Sequence, residues 1–179
     1  MPVSEVQKEK TIEPYPNILY VDTREPPIFM EKIAELCPIP MEAKQLLTGD
    51  YVCGNVAIER KTINDFCLSV IGRETEHNGR LFTQSERLGK EFPYHYILVT
   101  GTIDECTVNM HRHALLGALA SVVAHGITVI FGLNNDDDFV YVLLKLFEKH
   151  GLLKMLNSRR KKKKEEPKPQ TDVFVGVIN

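Results

Sequence analysis

Residues 47–66 read L-T-G-D-Y-V-C-G-N-V-A-I-E-R-K-T-I-N-D-F, with Asp50 early, Glu59-Arg60-Lys61 in the middle and Asp65 near the end. Val56, Ile58 and Arg60 alternate with Ala57, Glu59 and Lys61, the period of two expected of a half-buried strand. Glu59 and Lys61 then project from one face. Gly54-Asn55 suits a tight turn between antiparallel strands. Folded at that turn, the hairpin carries Asp50 back beside Glu59, and two carboxylates and a lysine converge. Hard oxygen donors in that number suit Mg²⁺ or Mn²⁺, which binds through one or two carboxylates and keeps several waters. A cation so held polarises a phosphate oxygen and lowers the pKa of a bound water, while the lysine orients or deprotonates it. The same residues also fit a plain strand carrying a surface ion pair, and spacing alone does not separate the two.

The wording around the trio separates them. Gly49-Asp50-Tyr51 followed by Glu59-Arg60-Lys61-Thr62-Ile63-Asn64-Asp65-Phe66 resembles the G-D-x(n)-E-R-K-x(3)-D signature of the XPF-type structure-specific nucleases, which include the archaeal helicase-associated nuclease Hef. Upstream, Val21-Asp22-Thr23-Arg24-Glu25 resembles the family's V-D-x-R-E at the end of its first strand. Downstream, Asn78-Gly79-Arg80-Leu81-Phe82-Thr83-Gln84 is similar to its N-G-R-L-x-x-Q helix start. Leu116-Gly117-Ala118-Leu119-Ala120-Ser121 and Gly126-Ile127-Thr128-Val129-Ile130-Phe131 look like the closing helix and strand. The resemblance spans residues 17–150, with the blocks in the family's order.

It implies an α/β fold with a restriction-endonuclease-like core, a mixed central sheet flanked by helices on both faces. It further implies that Asp22, Asp50 and Glu59 hold Mg²⁺ or Mn²⁺ and that Lys61 positions the attacking water. Arg60 would act through its backbone carbonyl or by bonding Asp65, and Arg24, Arg80 and Gln84 would meet the DNA. The segment 72–78 (G-R-E-T-E-H-N) is longer than the family pattern, which loosens the placement of Arg80 and Gln84 relative to the acids.

With 179 residues, 43% of them hydrophobic, the chain fits one domain of ordinary size with appended segments. Residues 1–16 are expected to be a disordered leader, 17–157 the nuclease domain and 158–179 a basic, Pro-containing tail. The absence of a long apolar run or of a signal-peptide core argues for a soluble, intracellular protein, in the cytoplasm or nucleoid, or the nucleus of a eukaryote. Cys37, Cys53, Cys67 and Cys106 are scattered without a C-x-x-C pair and read as buried free thiols. The tail holds seven Lys/Arg against three Asp/Glu; the rest of the chain holds 15 against 21. An acidic body is unusual for a nucleic-acid binder, and clustered metal-binding acids account for part of it. The basic run Arg159–Lys164 either attracts phosphate or is a solvated tail.

Taken in order, strands are expected at 18–21, 41–47, 52–56 leading on through 61, 94–100 and 127–131. Helices are expected at 28–36, 62–71, 80–90, 111–125 and 137–150. Thr62 can cap the second helix and Asp65 would lie in its first turn, so capping competes there with a role in the site. His111 and His113 are two apart, which disfavours a shared metal. Asn134 to Asp138 supply an acidic helix start.

In the resembled family the nuclease domain pairs with a second copy or an inactive partner through its last helices, here 111–125 and 137–150; a homodimer through residues 111–150 is therefore expected. The tandem helix-hairpin-helix module usual in the family is not expected after this domain, because residues 171–178 form an apolar octet too short to be one. That octet could dock on a sliding clamp or helicase, or add a strand to a sheet edge. The expected activity is metal-dependent hydrolysis of branched, forked or flapped DNA in repair or recombination. The alternatives are a non-catalytic DNA-binding scaffold subunit of the same fold and a sequence-specific endonuclease.

Overall fold

The computed structural model describes residues 18–37, 39–71 and 80–155, the side chains of Ile71 and Arg80 excepted. The leader, the 72–78 segment and the 158–179 tail lie outside the described residues, and so do the expectations placed on them.

Six strands and five helices alternate: β1 (Leu19–Asp22), α1 (Pro27–Leu36), β2 (Met41–Lys44), β3 (Tyr51–Cys53), β4 (Val56–Thr62), α2 (Ile63–Ile71), α3 (Arg80–Glu91), β5 (Tyr94–Thr100), α4 (Arg112–Ala124), β6 (Thr128–Leu133) and α5 (Asp136–Lys149). A short 3₁₀ turn at Ile103–Glu105, unforeseen in the sequence, follows β5. The strands form one sheet in the order β2-β1-β3-β4-β5-β6. β3 runs antiparallel to both β1 and β4, and the other neighbours are parallel, so the sheet is mixed.

Helices cover both faces, as expected. α1 and α5 pack on one, where Phe29, Ile33, Phe139, Leu143 and Phe147 meet Tyr51, Val56 and Ile58. α2, α3 and α4 lie on the other, where Phe66, Leu81, Leu115 and Val122 meet Ile97 and Val99. Val52, Ala57, Leu88 and Phe92 complete that layer. β4 is therefore not half-buried: Val56, Ala57 and Ile58 are inaccessible on both faces, because the strand lies inside the sheet rather than at a solvated surface. Polarity begins only at Glu59.

Other boundaries moved. β2 ends at Lys44 instead of continuing to Leu47, because Leu46 turns aside to bond the end of β1. α4 is apolar all round rather than amphipathic: Leu115 and Val122 face the core, while Leu116 and Val123 are 40% and 57% exposed. α5 behaves oppositely, with Phe139, Val140, Leu143, Leu144 and Phe147 all fully buried in the chain's own core. Asn135 caps α5 through the Asp138 amide, and His111 Nδ1 caps α4 by accepting from His113 N–H, so both segments serve helix starts.

The hairpin turn is closed from outside. Gly54 has φ +55°, and a Cβ there would lie 2.6 Å from Leu152 Cδ2, on the segment that follows α5. Gly54→Ala is expected to cost about 1–3 kcal/mol, from the left-handed backbone and the overpacked contact together. Denaturant unfolding checks this; an unchanged midpoint would show that Leu152 yields freely.

Candidate active site

The site forms where three strand ends meet. The backbone N–H of Asp22, at the end of β1, donates to the Asp50 carbonyl (2.8 Å), and Asp50 N–H donates to the Ile58 carbonyl (2.9 Å). The β3–β4 register pairs Tyr51 with Ile58 and Val52 with Ala57, so the hairpin delivers Asp50 beside Glu59. Asp50 Oδ2 accepts the Arg60 N–H at 2.8 Å, which fixes its side chain against β4.

Alternation along β4 then sorts the motif. Glu59 and Lys61 follow Ala57 on the face covered by α2, α3 and α4. Lys61 is 8% exposed, and its Nζ donates to Glu59 Oε1 (3.3 Å) and to Gln84 Oε1 on α3 (2.8 Å). An ammonium has three donors, so among the described residues one N–H remains for a ligand. Gln84, expected at the DNA, is thus engaged with the lysine.

Arg60 follows Ile58 to the other face. It lies over the Phe29 ring (5.0 Å to the centroid) and donates from Nε to Glu25 Oε2 at 2.7 Å. Tyr51 Oη donates to the same oxygen, also at 2.7 Å. Asp65 is not its partner. That carboxylate starts α2 on the opposite side of the sheet, where Asp65 N–H donates to Thr62 Oγ1 and Thr62 Oγ1–H donates to Asp65 Oδ2. The cap reading of Asp65 accounts for its contacts. Glu25 and Tyr51 are the residues that sequence reasoning left without a role. Both stood inside the quoted blocks, but only the fold shows that they brace Arg60.

Asp22 and Asp50 are electrostatic opposites. Asp22 is buried and accepts four hydrogen bonds: from Arg24 N–H and Nε on Oδ1, and from Arg24 Nη2 and Leu46 N–H on Oδ2. The Arg24 guanidinium, then its backbone amide and that of Leu46, hold the Asp22 carboxyl down at about 2 against the desolvation that opposes them. Arg24 itself remains 68% exposed and also feels Asp50 and Glu59. Asp50 is pushed up to about 7, first by burial and next by the Glu59 charge; Glu25 adds to this, and the Arg60 amide and Lys61 only partly offset it. Burial works against the Arg60 charge, but the Glu25 hydrogen bond and charge outweigh it and raise its pKa.

A divalent cation fits the Asp50–Glu59 pair on this chemistry. Two adjoining carboxylates repel each other, and among the described residues Asp50 Oδ1 has no hydrogen-bond partner. Among those residues no group of three or more His, Cys, Asp or Glu is arranged as a metal cage, and Asp22 is saturated by Arg24 and Leu46. The Arg80 side chain lies outside the described part of the structure.

The ERCC4 domain profile matches residues 21–146, which runs from the Val21 motif through most of α5. The chain belongs to the ERCC4-domain family. Its mixed sheet, helices and motifs are those of an XPF-type nuclease domain. The chain is 29% identical over 133 residues to the 3′-flap repair endonuclease Xpf of Saccharolobus solfataricus, covering 73% of this chain and 54% of that one. A 36% match over 115 residues, 63% of this chain, falls on 13% of a Methanocaldococcus jannaschii protein named "Putative ATP-dependent RNA helicase". The chain thus spans about half of one curated relative and a small part of the other. Among solved structures, XPF from Aeropyrum pernix aligns with TM-score 0.59 and 26% identity, over 75% of this chain and 65% of that one. The same protein in complex with DNA aligns with TM-score 0.57 and 25% identity, over 75% and 64%. Among the described residues of this ERCC4-domain chain, no helix is long and apolar enough to cross a membrane.

Proposed function

We propose that this chain is a metal-dependent endonuclease that hydrolyses phosphodiester bonds in branched, forked or flapped DNA. The observation that carries the reading is the meeting of Asp50, Glu59 and Lys61 at one end of the β3–β4 hairpin, with Asp50 raised to about 7. Relatives support the substrate class: one is named a 3′-flap repair endonuclease, and another was solved with DNA.

Asp50 and Glu59 would hold Mg²⁺ or Mn²⁺, and Asp22 would join them where Arg24 releases it to a phosphate. The cation supplies Lewis-acid polarisation of a phosphate oxygen and a more acidic attacking water. Lys61, steadied by Glu59 and Gln84, directs its remaining N–H to that water or to a phosphate oxygen. Arg24, two-thirds exposed at the rim, and Arg80 at the start of α3 would receive the flanking phosphates. Glu25, Tyr51 and Arg60 keep β3 and β4 aligned beneath the acids.

Cleavage of labelled single-stranded, duplex, 3′-flap, fork and four-way-junction DNA, with and without Mg²⁺ or Mn²⁺, tests the reading. Metal-dependent cutting of forks or flaps is expected. Binding without cutting under either metal would favour the scaffold reading, towards which the saturation of Asp22 points, and cutting governed by base sequence would favour a site-specific endonuclease.

Homodimerisation belongs to the same proposal. α5 buries Phe139, Val140, Leu143, Leu144 and Phe147 in its own core and exposes Tyr141, while the outward side of α4 exposes Leu116 and Val123 beside the edge strand β6. Leu116→Glu with Val123→Glu is expected to convert a dimer into a folded monomer. Sedimentation equilibrium reads the mass, and an unchanged dimer would place the interface elsewhere.

A further inference from the structure

Four cysteines are scattered along the chain, and the fold brings the sulfurs of two of them into contact. Cys67 is fully buried on α2, and Cys106 is half-buried just after the 3₁₀ turn that follows β5. Their sulfurs lie 2.8 Å apart although both are free thiols. That is inside the ~3.5–4.0 Å of ordinary nonbonded contact. It is within about 1 Å of the bonding distance of a disulfide. We infer that Cys67 and Cys106 are a redox-active dithiol, a site of reversible disulfide formation that fastens the β5–α4 segment to α2.

The surroundings hold the pair in place. One turn before Cys67, Asn64 Oδ1 accepts both the N–H and the hydroxyl of Thr107, at 2.9 and 3.3 Å. Residues three apart share a helix face, so 106–107 is tied to α2 at two adjoining points. Gly101 and Glu105 limit the other side: a Cβ on Gly101 would meet Ile63 Cγ2 at 3.0 Å and Glu105 Oε2 at 2.9 Å, and the Thr102 N–H donates to that same oxygen at 2.9 Å. These contacts hold together the two backbone segments that carry the sulfurs. Burial, reinforced by Cys106, pushes the Cys67 thiol up to about 12, so the more accessible Cys106 is the point of entry for an oxidant.

With hydrogen peroxide as oxidant, the Cys106 sulfur attacks one peroxide oxygen. The O–O bond breaks, and Cys106 becomes a sulfenic acid with loss of one water. The Cys67 sulfur then attacks the Cys106 sulfur, its thiol proton leaves with the displaced hydroxide as a second water, and the S–S bond forms. Overall two thiols lose two electrons and two protons, and peroxide is reduced to two waters. The bond closes a loop that contains α3, and such closure stabilises chiefly by restricting the unfolded chain.

The test uses the full chain treated with dilute hydrogen peroxide, then denatured, alkylated and mapped by mass spectrometry. The expected result is loss of two of the four thiols in one peptide pair joining Cys67 to Cys106, reversed by dithiothreitol. Cys37 and Cys53, buried in the opposite core, should remain fully alkylatable and serve as internal controls. The oxidised protein should melt roughly 5–15 °C higher than the reduced one. Cys106→Ser should abolish that shift; should the variant fold poorly, the wild-type peptide map decides alone. Four alkylatable thiols after peroxide, or Cys106 advancing to sulfinic acid while Cys67 stays reduced, would overturn the inference.

Discussion

Asp50→Asn is expected to lower cleavage by at least about 100-fold while leaving DNA binding near its wild-type level. A cation at this site is worth several kcal/mol of transition-state stabilisation. Each 1.4 kcal/mol or so is a tenfold change in rate. The amide keeps the shape and can still accept the Arg60 N–H, but it brings no charge to a cation. The same change should stabilise the metal-free protein. Asp50 has a folded-state pKa of about 7 against an ordinary value of 3.8, chiefly from burial and from Glu59. The native state therefore binds the proton more tightly than the unfolded chain does. The stabilisation this gives is complete below about pH 4 and is lost as the pH rises through about 7. Asparagine escapes that loss, so the variant should exceed wild type above neutral pH by an amount on the order of 2–4 kcal/mol. The gap should close towards pH 4. Single-turnover cleavage and urea unfolding between pH 4 and 8, both without and with Mg²⁺, read the two effects. Mg²⁺ should stabilise wild type and not the variant. Full activity in Asp50→Asn would remove Asp50 from the chemistry, and equal stability across the range would show that its carboxylate is not strained.

Lys61→Met should be nearly as damaging, lowering cleavage by about 100-fold or more, because in the proposed function the remaining Lys61 N–H holds the attacking water or the phosphate. Methionine has a similar length and suits a site only 8% exposed, so the fold should survive. Gln84→Ala should cost about tenfold, the scale of one lost hydrogen bond to a charged group. With Gln84 bonded to the lysine ammonium, adding Gln84→Ala to Lys61→Met should change little further. Strongly non-additive losses of this kind mark residues that work as one unit. Additive losses, or a Gln84 variant that weakens DNA binding alone, would return Gln84 to the direct DNA contact that its sequence block suggested.

The contrast between Asp22 and Asp50 bears on how the site is prepared. Asp22 is held low by Arg24, so its contribution to stability is present above its ordinary pKa and lost as the pH falls towards 2. Arg24 is mostly exposed and its pairing is screened, so that contribution is modest. A phosphate that draws the Arg24 guanidinium outward would remove one hydrogen bond from each Asp22 oxygen and leave the backbone ones, which joins substrate arrival to completion of the acid cluster. No such exchange is open to Asp50, whose strain only a cation or a proton relieves.

Local signals in the chain determined the strands and α-helices, though not the 3₁₀ turn at Ile103–Glu105. Gly54-Asn55 required a turn, alternation at 56–61 and the run Tyr94 to Thr100 required strands, and Thr62 and the segment Asn134 to Asp138 announced helix starts. The spacing from Asp50 to Lys61 was enough to foresee that the turn would set Asp50 beside Glu59, because antiparallel pairing is local. Three things depended on tertiary structure. β4 is buried on both faces because β5 and β3 flank it and helices cover it, whereas period-two polarity in one strand cannot count its neighbours. Arg60 pairs with Glu25, and Lys61 with Gln84, because alternation sends adjacent side chains to opposite faces, where different helices and loops wait. Cys67 meets Cys106 only because α2 and the end of β5 leave the sheet together. Sequence periodicity reports which side chains share a face; which partner occupies that face is settled by contacts between residues distant in the chain, and those exist only once the sheet has assembled.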